Sequence, residues 1–138
     1  MKLVAALLAL ALATAQASSV LLQVESRSGL TFNREVPSVA TISTPWGTQK
    51  VRLNRGTLYP GDPQHYWSSL TPVLVHVKTP PGLAAGRYPV TVQTDLYVCD
   101  QNIHLCSVRR ASAQGELEVG AAAPKLTLTL SIPKLRGF

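Results

Sequence analysis

The chain has 138 residues, a formal net charge of +6 and only two cysteines, Cys99 and Cys106. That length suits one domain with a hydrophobic core. Its basic residues are scattered (Arg27, Arg34, Lys50, Arg52, Arg55, Lys78, Arg87) and only Arg109-Arg110 are adjacent. The concentrated basic stripe with interleaved aromatics that nucleic acid requires is therefore missing, and the charge reads as a solvated surface.

Residues 1–17 read as a secretory signal peptide. Lys2 supplies the positive start, Leu3 to Ala13 an apolar stretch, and Ala15-Gln16-Ala17 the small-x-small cleavage pattern. The apolar run falls short of the ~20 residues that cross a bilayer as a helix, and no later segment approaches that length. Ser18 is then the first mature residue, and 138 less 17 leaves a domain of 121 residues, 18–138. Export implies a periplasmic or secreted location, where disulfides persist. Arg136 to Phe138 reads as a loose tail.

Strand signals dominate the mature region. Val20 to Val24 starts it, and Ser38–Ser43 and Thr48–Leu53 flank the turn residues Thr44-Pro45-Trp46-Gly47. Tyr59-Pro60-Gly61-Asp62-Pro63 is too rich in breakers for regular structure. Pro72 to Lys78 alternates, with Val73, Val75 and Val77 on one face and Leu74, His76 and Lys78 on the other. Tyr88–Val98, Cys106–Arg110, Gly115–Val119 and Leu126–Ile132 follow, with Ala121–Pro124 a short link. About eight short strands in one domain predict an all-β fold, an antiparallel immunoglobulin-like β-sandwich.

The two cysteines sit in a predicted hairpin. A turn at Gln101–His104 sets Asp100 against Leu105, Cys99 against Cys106, Tyr97 against Val108 and Asp95 against Arg110. Opposed residues of an antiparallel pair lie ~4.5–5.5 Å apart at Cα, within the ~4.4–6.8 Å a disulfide needs, so the spacing permits a cross-strand bridge. Such a bridge closes a short loop and contributes about 2.5 kcal/mol at most by restricting the unfolded chain. A staple and an exchangeable redox couple both fit this spacing. His104, Arg109 and Arg110 lie near the thiols, but Asp95 and Asp100 offset them, and His104 reads either as an exposed turn residue or as an aid to proton transfer.

Other chemistries lack their motifs. Cys99, Cys106, His104, His65 and His76 are possible metal ligands, but zinc spacings and the axial methionine of a blue-copper site are missing from the mature chain. No metal or cofactor is expected. Neither a Gly-x-Ser-x-Gly elbow nor an HExxH pair supports hydrolysis.

The stretch Pro81-Gly82-Leu83-Ala84-Ala85-Gly86-Arg87-Tyr88-Pro89-Val90-Thr91-Val92, then Tyr97-Val98-Cys99 and Cys106 on the returning strand, resembles the N-terminal domain of DsbD-type thiol:disulfide interchange proteins. The specific part runs from Pro81 to Arg110, and six residues separate the cysteines where the family member compared has five. The resemblance implies an immunoglobulin-like fold whose hairpin carries a redox pair. By position, Cys99 becomes the attacking or attacked thiol and Cys106 its resolving partner. It also implies an aromatic cap over the cysteines. Tyr66 and Trp67 in His65-Tyr66-Trp67 are the candidates, with Tyr97 and His104 as auxiliary residues; filling of the sandwich edge is the other reading of these aromatics. The implied partners are thioredoxin-like or membrane thiol-reductant proteins, met by a monomeric domain. The alternative is a non-catalytic exported binding or assembly module with a structural disulfide.

Overall fold

A computed structural model describes residues 18–120 and 125–133. Residues 1–17, read above as a signal peptide, and the Ala121–Pro124 link and Arg136–Phe138 tail expected from the sequence lie outside the described residues. Among the described residues there are ten strands: β1 (Ser18–Val24), β2 (Leu30–Asn33), β3 (Ser38–Thr44), β4 (Gly47–Leu53), β5 (Gly56–Leu58), β6 (Tyr66–Leu70), β7 (Val73–Val77), β8 (Gly86–Asp100), β9 (Leu105–Val119) and β10 (Leu126–Leu130). They form two sheets. The smaller has the order β10-β1-β7; the larger runs β4-β3-β8-β2-β6-β5, with β9 on the other side of β8.

Strand alternation builds the core between these sheets. Along β8, Val90, Val92, Leu96 and Val98 are buried while Gln93, Asp95 and Tyr97 are exposed. They meet Val20 and Leu22 of β1, Val75 and Val77 of β7, and Leu128 and Leu130 of β10 in one buried cluster. Thr94 also points inward, and its hydroxyl donates to the Val39 carbonyl at 3.0 Å, so its burial leaves no donor unmatched. The fold is thus an all-β sandwich.

Three features depart from the sequence reading. β2, β5 and β6 are additional strands, each five residues or shorter. The segments Cys106–Arg110 and Gly115–Val119 are one strand, β9, because Ala111 to Gln114 keep full register with β8 despite lacking β-branched side chains. One pairing is parallel: β1 runs beside β10 from Val20–Leu126 to Val24–Leu130. Parallel neighbours need a long connection, which here is the rest of the sandwich.

A candidate redox site at the end of the long hairpin

β8 and β9 pair in unbroken register from Gly86–Val119 to Asp100–Leu105, and the cysteines fall opposite one another one step before the turn. They form a disulfide with Cα atoms 4.0 Å apart. Tyr97 opposes Val108 and Asp95 opposes Arg110 on the same face. Arg110 Nε donates to Asp95 Oδ1 at 3.0 Å, and this hydrogen bond, then the attraction of the charges, holds the guanidinium pKa above its ordinary value.

The turn is held from both sides. The Asn102 amide donates to Asp100 Oδ1 at 2.9 Å, and the Gln101 amide donates to the Gly29 carbonyl at 2.8 Å. His104 adopts a left-handed φ of 52°, a conformation histidine visits more readily than branched residues. It is exposed at the turn.

β8 presents its other edge to β2, where Thr31 pairs with Cys99. Thr31 is buried, and its hydroxyl donates to the Cys99 carbonyl at 3.2 Å while accepting from Gln101 Nε2 at 2.9 Å. Thr31 and Gln101 therefore support the backbone under the first sulfur. Sequence reasoning missed Thr31 because β2 is short and its Leu-Thr-Phe-Asn has no recognisable alternation.

Tyr66 and Trp67 diverge. Adjacent residues of a strand point to opposite faces. Trp67 pairs with Phe32 and packs on the core, with the Arg34 guanidinium carbon 4.4 Å from its ring centre. It does not reach the disulfide. Tyr66, opposite Asn33, lies on the outer face, and its hydroxyl donates to Cys99 Sγ at 3.7 Å. Tyr59 braces the Tyr66 ring edge-on, with centroids 6.5 Å apart. His65, the preceding residue, bonds Asp62 at 2.8 Å and faces Glu35 at 3.5 Å. His76 is exposed on β7.

The two halves of the disulfide are thus unequal. Cys99 is 5% exposed, whereas Cys106 is exposed on the outer face beside Val108. Chemically, a disulfide with one covered and one open sulfur favours attack at the open sulfur and departure of the covered one. Among the described residues, no group of three or more His, Cys, Asp or Glu side chains is placed to hold a metal ion, and no helix is long and apolar enough to cross a membrane. No protein-family model matches the chain, and no curated protein matches it.

Proposed function

We propose that this is an exported thiol–disulfide exchange domain, of the kind the hairpin's resemblance to DsbD-type N-terminal domains implies, and that Cys99–Cys106 is its redox pair. The observation that carries the reading is the asymmetry of the bridge: Cys106 is open, and Cys99 is covered and touched by the Tyr66 hydroxyl. A bridge serving only as a staple gains little here, because the loop it closes is short and restricts the unfolded chain by about 2.5 kcal/mol at most.

In the exchange, a thiolate of a dithiol partner attacks Cys106 Sγ. The Cys99–Cys106 bond breaks, and Cys99 leaves as a thiolate that takes up a proton. The partner's second thiolate then attacks its own mixed-disulfide sulfur and displaces Cys106. The domain gains two electrons and two protons, the partner becomes a disulfide, and every step is reversible. The resemblance assigns the first attack to Cys99. Exposure favours Cys106 instead, so the proposed roles are exchanged.

The test is a pair of single variants of the mature domain. With Cys99→Ser, the remaining Cys106 thiol is expected to react rapidly with a disulfide reagent and to trap a thioredoxin-like partner as a mixed disulfide. With Cys106→Ser, the Cys99 thiol is expected to react slowly and trap none. A redox titration of the unaltered domain is expected to give a midpoint above about −250 mV, among labile couples. A midpoint below about −300 mV with slow exchange marks a structural bridge and supports the binding-module alternative.

A further inference from the structure

The free edge of β9 lies on the line along which Cys106 must be attacked. Among the described residues, β9 pairs with β8 alone. The direction of its backbone groups follows from two observations. Gln101 N–H bonds to Gly29 beyond β2, and Thr31 of β2 pairs with Cys99, so at this end of β8 the backbone groups of Cys99 and Gln101 face β2 rather than β9. The 4.0 Å Cα separation of Cys99 and Cys106 likewise belongs to a pair that exchanges no backbone hydrogen bonds. The N–H and C=O of Cys106 therefore point away from β8, off the free edge. Val108 and Arg110, two and four residues on, share that phase.

Displacement at sulfur needs the incoming thiolate, the attacked sulfur and the leaving sulfur close to one line. The leaving Cys99 stands on β8, on the inner side of Cys106. The incoming sulfur must come from the opposite side, across the edge of β9. An unpaired edge whose backbone groups point outward is also a template for an added strand. No proline interrupts β9 from Leu105 to Val119, and the outer side chains at 106, 108 and 110 are exposed.

Resting on the exchange function proposed above, we infer that the partner docks by adding an extended, cysteine-bearing segment to this edge of β9, with its cysteine opposite Cys106. Such a pair exchanges backbone hydrogen bonds and holds its Cα atoms ~5.5 Å apart, within disulfide range. The partner residue two positions from the cysteine then lies beside Val108. Val108 is 48% exposed and its neighbour Tyr97 36%, so that residue is apolar. The partner thiolate forms the new S–S bond to Cys106 as the bond to Cys99 breaks, with the electron pair leaving on Cys99.

The probe is a blocked heptapeptide with a central cysteine and valine two positions to either side. It is compared with the same peptide N-methylated at both valines and with glutathione, each at equal thiolate concentration. The unmodified peptide is expected to open the disulfide at least tenfold faster than glutathione, and N-methylation is expected to remove that gain. When the peptide is trapped on Cys99→Ser, the amides of Cys106, Val108 and Arg110 are expected to exchange hydrogen at least tenfold more slowly. Equal rates for the two peptides, with glutathione still reacting, overturn strand addition and leave the exchange function standing. No reaction with any of the three thiols overturns both.

Discussion

Tyr66 donates its hydroxyl to the sulfur of Cys99 across the outer face of the larger sheet, although the two residues lie on strands separated by β7 in sequence. The contact sets the covered sulfur apart from the open one and places a proton donor where negative charge develops when the bridge is opened at Cys106.

Tyr66→Phe removes that donor and keeps the ring. The lost interaction is one hydrogen bond to a developing thiolate, worth about 1 kcal/mol, so opening by dithiothreitol is expected to slow about three- to tenfold. Stopped-flow reduction, with thermal unfolding as a control on the fold, measures it.

The double variant Cys99→Ser with Cys106→Ser is expected to fold. The closed loop is short, so the loss in urea unfolding should be about 2.5 kcal/mol or less, and the far-ultraviolet β signal should be unchanged. Collapse of the β signal would show that the hairpin depends on its bridge.

Gly29 adopts φ +81°, and a Cβ there would stand 2.3 Å from Asn102 Nδ2. Gly29→Ala is therefore expected to lose about 1–2 kcal/mol from the left-handed backbone alone and to push Asn102 out of the turn. Urea unfolding checks the first effect. The rate of exchange at Cys106 checks whether the turn beneath the disulfide has moved.

His104 carries the other left-handed backbone near the sulfurs. His104→Val is expected to destabilise by about 1–2 kcal/mol, since a branched side chain fits that conformation poorly, while His104→Gly is tolerated. If His104→Gly also leaves the pH dependence of exchange unchanged, the imidazole is a turn residue and takes no part in proton transfer.

Much of the hairpin could be read from the chain. Cys99–Cys106, Tyr97–Val108 and Asp95–Arg110 all follow from one short turn, because an antiparallel register is local and its side-chain period is two. The valines of β7 and β8 declare their buried faces for the same reason. β2, β5 and β6 were not legible, being short segments whose place depends on neighbours far along the chain. The three-residue β5 even shifts register against β6 after Thr57.

Local chain alone sets the two cysteines opposite one another and makes strands supply the core. Both are consequences of spacing and alternation along contiguous chain. Which sulfur is covered is settled by packing between distant strands. That depends on β6 lying beyond β2 in the same sheet, so that Tyr66 reaches Cys99 over the outer face while Trp67, one residue on, turns to the core. Tertiary pairing also leaves β9, among the described residues, a free edge beside Cys106, because β2 and β3 both pair on the far side of β8. Strand order is set by burial summed over the whole sandwich, and no local pattern of residues encodes it.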